Sequence, residues 1–222
     1  MSLILNIDTA LDTGSVCLAR AEEIIALSIN ENKKDQPGWL HNTIEAILKK
    51  NDLSPHQLEA VAVSIGPGSY TGLRVGLAAA KGFCFALQIP LIAINTLKMM
   101  AAAVKEEASA LICPLIDARR MEVFVAVYDT SLREIVSANA LEIDENSFGS
   151  LLSSSQILFC GNGSRKLKPL LTNKNAVFTD TDSNASHLSQ LSQICFLEKE
   201  FANLAYTEPL YIKEFYSPPR KA

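Results

Sequence analysis

The segment "VAVSIGPGSYTGLRVGL", Val61 to Leu77, runs from a short apolar stretch through Gly-Pro-Gly-Ser into the start of a helix. Bounded by Gly66-Pro67-Gly68, the apolar run suits a strand buried on both faces in a parallel sheet. Thr71 to Leu87 reads as the helix that follows, and "PLIAI", Pro90 to Ile94, as the next buried strand. The same plan returns in "ILFCGNGSRKLKPLL", Ile157 to Leu171, as strand, Gly-x-Gly-Ser and helix.

What precedes each copy also matches. "LILNIDTALDTGSVCLARAEEIIALSI", Leu3 to Ile29, alternates apolar segments with turn residues such as Asp12-Thr13-Gly14 and predicts a three-stranded antiparallel meander. "LICPLIDARRMEVFVAVYDTSLREIV", Leu111 to Val136, repeats the order of strand, aspartate, turn, strand, turn and strand, with Asp8 and Asp117 in matching places. Two matched features in the same order point to an internal duplication. The expected fold is α/β, with two related lobes that are each a mixed sheet with a three-stranded meander flanked by helices. The boundary is expected near Met100 to Ala108, dividing residues 1–104 from a shorter second lobe, 105–222, with a cleft between them. In the first lobe, Pro37 opens a helix whose Leu40, Ile44, Ile47 and Leu48 share one face, and Ser54-Pro55-His56-Gln57 has the pattern of a capping box.

With 222 residues, 48% of them hydrophobic, the chain can bury a real core. A formal charge of −4, mixed in sign along the chain, supplies no broad positive field to hold nucleic acid unaided. Basic pairs such as Lys33-Lys34 and Lys49-Lys50 read as solvated faces. The apolar region from Leu73 to Val104 is broken by Arg74, Lys81, Gln88, Pro90, Asn95 and Lys98, which excludes a membrane span there. The N-terminus has no basic leader and reads as a first strand. Five cysteines, scattered and never in a Cys-x-x-Cys pair, point to buried thiols in a reducing compartment, and the expected location is the cytoplasm.

Three places invite a functional reading, each with a structural alternative. Gly66 and Gly68, with Gly161 and Gly163 in the second copy, would let backbone amides turn toward a phosphate beside a helix N-terminus. However, Gly66-x-Gly68-x-x-x-Gly72 misses the dinucleotide spacing by one residue, and no Gly-Lys-Ser/Thr is present. Asp8, with Thr9 beside it, and Asp117 end the first strand of each lobe. They would either hold a metal-bound nucleotide phosphate across the cleft or cap the tight turns after their strands. Gly72, Gly76 and Ala80 recur every fourth residue and leave one helix face nearly bare, although each interior glycine costs about 1 kcal/mol against alanine. That face, with Leu73, Val75, Ala79 and Phe83, either packs closely inside its own lobe or meets a partner together with Trp39, Leu40, Ile44 and Ile47. On the partner reading, Gly76→Leu blocks association while the chain stays folded. His41, His56 and His187 are isolated, no Gly-x-Ser-x-Gly occurs, and no cysteine has an obvious histidine partner, so neither a metal site nor a hydrolytic nucleophile is expected.

"ILNIDTALDTGSVCLA" (Ile4 to Ala19), "AVAVSIGPGSYTGLRVGLAAAKGF" (Ala60 to Phe83), "PLIAINTLKMMA" (Pro90 to Ala101), "LIDARRMEVFVAVYD" (Leu115 to Asp129), "GNGS" (Gly161 to Ser164) and "EPLYIK" (Glu208 to Lys213) together resemble the TsaB (YeaZ) family nearly end to end. The resemblance implies two actin-like, ribonuclease-H-like lobes, in agreement with the duplication. It implies a dimerisation subunit, a non-catalytic relative of the catalytic subunit TsaD, in the bacterial complex that adds a threonylcarbamoyl group to the adenosine beside the anticodon of certain tRNAs. TsaE, an ATPase, joins them. The resemblance further implies a homodimer when the chain is alone, tRNA contact only within the complex, and no cofactor of its own, with ATP or ADP at the partner interface of the assembly. In TsaD the segment similar to "INTLKMM" carries two metal-binding histidines four residues apart; Thr96 and Met100 stand there in this chain, and neither replaces an imidazole. The chain departs from the family at Gln36-Pro37-Gly38, where a histidine is frequent.

Two functions follow from these residues. One is a scaffold that binds TsaD through the helix Thr71 to Leu87 and the helix around Trp39 to Leu48. The other is a small nucleotide-dependent actin-like ATPase or phosphotransferase, with Asp8 and Asp117 around magnesium. A short second lobe and the missing histidines favour the scaffold.

Overall fold

The computed structural model describes residues 2–21, 23–31 and 36–213, and of Gln36 only the backbone; Lys33 and Lys34 lie outside the described residues. The expected meander is formed by β1 (Leu3–Asp8), β2 (Ser15–Arg20) and β3 (Glu23–Ile29), paired antiparallel in that order. Helix α1 (Gln36–Lys50) and a single helical turn at Pro55–Gln57 lead to β4 (Ala60–Gly66), which runs parallel to β1. That turn has the predicted capping box, with the Ser54 amide donating to Gln57 Oε1 at 2.7 Å. Helix α2 (Tyr70–Leu87) and β5 (Leu91–Asn95) complete a sheet of order β3-β2-β1-β4-β5.

Helix α3 (Thr96–Val104) crosses to a second meander, β6 (Leu111–Asp117), β7 (Glu122–Asp129) and β8 (Glu134–Glu142). Then come α4 (Gly149–Ser154), β9 (Ile157–Cys160), α5 (Ser164–Leu167) and β10 (Ala176–Phe178). The second sheet has the order β10-β9-β6-β7-β8, which is the first sheet read from its other edge, so the duplication holds strand for strand. The copies differ in their helices: α2 has 18 residues and α5 only 4.

The period of two in each strand sets the layers. Leu3, Leu5 and Ile7 of β1, with Val61 and Val63 of β4, face α1 and α2 and meet Leu40, Ile44, Leu77 and Ala80. Ile4, Ala60 and Ala62 face the other way, onto Met99 of α3 and onto Leu188 and Leu191 of α6 (Ser186–Glu198). Helix α3 is apolar nearly all round, as a helix buried on two sides must be. Its Leu97, Met100, Ala101 and Val104 pack on Ile112, Ile116 and Tyr128 of the second sheet. Leu152 of α4 and Leu167 of α5 cover the far face of that sheet.

The chain after α5 does not stay with the second lobe. Helix α6 packs on β1, β2 and β5, Ser192 Oγ donates to Asn6 Oδ1 at 2.7 Å, and the Ala185 amide donates to Ser15 Oγ at 2.8 Å. Beyond it the Ala202 amide donates to Leu91 O at 2.8 Å and the Leu210 amide to Ile65 O at 2.7 Å. Lys213 then pairs with Glu122 of the second lobe. Residues 186–213, placed in the second lobe by chain order, therefore complete the first: Leu188 and Leu191 of α6 join Met99 of α3 in covering the β1–β4–β5 face. Among the described residues no helix is long and apolar enough to cross a membrane.

Candidate functional site

Gly66 closes β4 with φ +122°, and a Cβ added to it would lie 2.5 Å from Leu210 O, so only glycine fits. Three amides around this turn are already engaged. Gly66 N donates to Thr96 Oγ1 at 3.0 Å, Ser69 N to Ala10 O at 2.7 Å, and Gly72 N to Ser69 Oγ, which caps α2. Gly68 lies against the same Ala10 carbonyl. In the second lobe Gly163 N donates to Leu115 O at 3.0 Å, and Gly161 packs between that carbonyl and the Met100 methyl group. The first Gly-x-Gly turn thus seats on the turn that follows β1, and the second on β6, the first strand of its own lobe.

The aspartates form the same local turn. Ala10 N donates to Asp8 Oδ1 at 3.0 Å and Arg119 N to Asp117 Oδ1 at 2.6 Å, the turn-capping geometry of an Asx residue. Their surroundings differ. Asp8 is fully buried and accepts from Ser64 Oγ, while its Oδ2 has no partner among the described residues. Burial pushes its carboxyl from 3.8 up to about 6, against the lowering effect of the Ser64 and Ala10 hydrogen bonds. Asp117 is exposed and ion-paired with Lys166 at 2.5 Å. Partial burial raises its carboxyl, but the hydrogen bonds from Lys166 and Arg119 outweigh that and hold it below the ordinary value. Thr9 Oγ1 is buried and donates to Gly72 O at 2.7 Å, and Thr96 and Met100 are buried in packing. Among the described residues no three His, Cys, Asp or Glu gather to hold a metal ion.

The bare face of α2 is turned inward. A Cβ on Gly76 would stand 2.2 Å from Thr9 Oγ1, so the glycine is there for the close approach of α2 to β1. Gly72, Leu73, Gly76 and Ala80 are buried, as are Leu40, Ile44 and Ile47 of α1. These seven are buried in the first lobe, which corrects the exposed partner surface expected from their spacing. Trp39, Val75 and Phe83 are half-buried at its edge, and Ala79 is nearly covered.

A second small-residue stripe, Ala78, Gly82 and Ala86, has the same four-residue spacing two positions out of phase, about 200° around the helix. This one is exposed. With Val75, Phe83 and the α1 residues Pro37 and His41, it lines an apolar groove of about 510 Å³. An adjoining hollow of about 290 Å³ includes Ile44, Leu48, Leu53 and again Phe83 and His41, whose ring centroids are 6.4 Å apart. A Cβ on Gly82 would meet nothing within 4 Å. The sequence signal for this stripe was present: Arg74, Lys81 and Phe85 lie beside it, whereas Leu73 and Leu77 flank the inner one.

The family model described as TsaD, tRNA N6-adenosine threonylcarbamoyltransferase, matches residues 31–214. The tRNA threonylcarbamoyladenosine biosynthesis protein TsaB of Bacillus subtilis (strain 168) is 29% identical over 215 residues, covering 95% of this chain and 93% of its own. TsaB of Haemophilus influenzae is 29% identical over 224 residues with the same coverage. The solved structure of YeaZ from Pseudomonas aeruginosa superposes with a TM-score of 0.84 at 22% identity, covering 95% of this chain and 100% of that one, so the two-lobed fold is shared. The chain belongs to the TsaD family of tRNA N6-adenosine threonylcarbamoyltransferases, and the relatives that match it over nearly their whole length are TsaB (YeaZ) proteins.

Proposed function

We propose that this chain serves the formation of threonylcarbamoyladenosine in tRNA as a non-catalytic scaffold, binding TsaD through the α1–α2 groove. The observation that carries the reading is the groove itself, an exposed small-residue helix face that lets another helix approach closely. The engaged amides of Gly66, Ser69 and Gly163 and the Asp117–Lys166 ion pair support it, because each removes a group that a nucleotide-dependent enzyme would use. So does the state of the cysteines: burial pushes the Cys17 thiol up to about 12 and Cys84 to about 11, which keeps them from acting as nucleophiles. On this reading the chain shapes TsaD and completes the assembly that engages tRNA. TsaE joins that assembly, ATP or ADP lodges at the partner interface, and the same groove closes a homodimer when TsaD is absent. A charge of −4 suits a subunit that meets tRNA only inside the complex.

Gly82→Leu tests the groove. Leucine is about 1 kcal/mol better than glycine in a helix and has open space at this position, so the melting temperature should hold or rise. Affinity for TsaD should fall about 10-fold or more, with a parallel loss of tRNA threonylcarbamoylation. Unchanged affinity would remove the groove assignment, and full modification by TsaD and TsaE without this chain would remove the scaffold. Calorimetry of the isolated chain with ATP and magnesium is expected to give no heat of binding. Micromolar binding that disappears in Asp8→Asn would reinstate the nucleotide-dependent enzyme.

A further inference from the structure

A separate cavity of about 280 Å³ opens between the lobes, at the carboxyl ends of β1, β3 and β9. Crevices at the carboxyl ends of strands are where ligands settle in open α/β folds. Its apolar side is Leu11, Ile29 and Met100, and its charged side is Asp12, Arg165 and Asp182. Three neutral polar side chains of the lining are engaged through one oxygen each. Asn162 Oδ1 accepts from Asp117 N at 2.8 Å, Asn184 Oδ1 from Ser186 N at 2.9 Å, and Thr181 Oγ1 donates to Glu107 Oε1 at 2.8 Å. The charges are not: none of the ion pairs formed among the described residues uses Asp12, Arg165 or Asp182.

Opposite charges gathered at one cavity yet unpaired with each other match a ligand that carries both signs. Two carboxylates against one guanidinium oppose a polyphosphate. The three apolar side chains call for an apolar body. The volume lies at the small end of ligand pockets, which run from about 300 to 1,000 Å³, and so limits the ligand to amino-acid size. We propose that this interlobe cleft binds a free α-amino acid with an apolar side chain. Its carboxylate is held by Arg165 in the bidentate geometry a guanidinium offers, its ammonium group by Asp12 and Asp182, and its side chain by Leu11, Ile29 and Met100. Both lobes contribute, so the ligand also favours one arrangement of the lobes over others.

Ligand-detected NMR on the full-length protein, titrated separately with L-valine, L-leucine and L-methionine, tests this. At least one should saturate with a dissociation constant below about 1 mM. The amide of that amino acid, which lacks the carboxylate, and its N-acetyl form, which lacks the ammonium group, should each bind about 10-fold more weakly or worse. Arg165→Gln should weaken the amino acid by a similar factor while leaving the weaker binding of the amide unchanged, at an unaltered melting temperature. Failure of all three amino acids to saturate by about 10 mM would overturn the proposal. Affinity that survives Arg165→Gln, or that is the same for the acid and its amide, would overturn it equally.

Discussion

Gly76→Leu is expected to lower the melting temperature by roughly 10 °C and not to yield a well-folded chain that has merely lost its partner. The Cβ alone would lie 2.2 Å from Thr9 Oγ1 and 3.5 Å from Val63 Cγ2. Val63 of β4 and Thr9, just past the end of β1, are fully buried, so neither can retreat without disturbing the first sheet. Overpacking of this kind costs ~1–3 kcal/mol, and driving Thr9 Oγ1 off the Gly72 carbonyl leaves a buried hydrogen bond unmade at a further ~1–3 kcal/mol. A total of about 4 kcal/mol at ~2–4 °C per kcal/mol gives the expected shift. A cycle of Gly76→Ala, Thr9→Ala and the double variant isolates the contact. Thr9→Ala removes the clashing oxygen and leaves its Cβ at an ordinary 3.5 Å, so the double variant should be more stable than the sum of the single effects. Strict additivity would show that the helix yields elsewhere.

Asp8→Asn should change how stability depends on pH. The folded-state value of about 6 is above the ordinary 3.8, so between these values the folded chain holds a proton that the unfolded chain has released. The contribution of Asp8 is therefore most favourable below about pH 4 and is lost as the pH rises to about 6, the reverse of a salt-bridged aspartate. The loss amounts to about 3 kcal/mol at neutral pH, at 1.36 kcal/mol per pH unit. Asparagine keeps the acceptor for Ala10 N and Ser64 Oγ but puts an NH₂ where Oδ2 has no partner, which costs ~1–3 kcal/mol of its own. The clean readout is the difference in unfolding free energy between wild type and variant, measured from pH 4 to 7. It should move in favour of the variant with rising pH and level off above about pH 6. A flat difference would mean that Asp8 ionises normally in the folded chain.

The sheets were legible in the sequence because their signals are local. The apolar segments and turns of Leu3 to Ile29, the apolar run ending at Gly66 and the Ser54 capping box each depend on residues within a few positions of one another. The duplication was legible because two local patterns recur in one order. What escaped was long-range. Gly72-Gly76-Ala80 and Ala78-Gly82-Ala86 have equal spacing, and only Thr9, more than sixty residues from Gly76, decides which stripe lies inside. The place of α6 escaped for the same reason, since Leu188 and Leu191 find their partners in Ile4, Ala60 and Ile92. The turn-capping alternative for Asp8 and Asp117 was open from the sequence, but the full burial of one and the Lys166 pairing of the other were not.

The return of α6 to the first sheet also gives the polypeptide an order of maturation. A ribosome makes β1 to β5 first, yet the sheet face carrying Ile4, Ala62 and Ile92 receives Leu188 and Leu191 only when the final helix emerges. At ~5–20 residues per second, the stretch between Asn95 and Glu198 takes roughly 5–20 s to synthesise. For that interval the nascent chain shows an apolar surface that it cannot yet bury, which suits a holding chaperone. A messenger cut short before Ser186 would yield a product that never closes this surface, and the cell's proteases could tell it from the finished protein by that exposure alone.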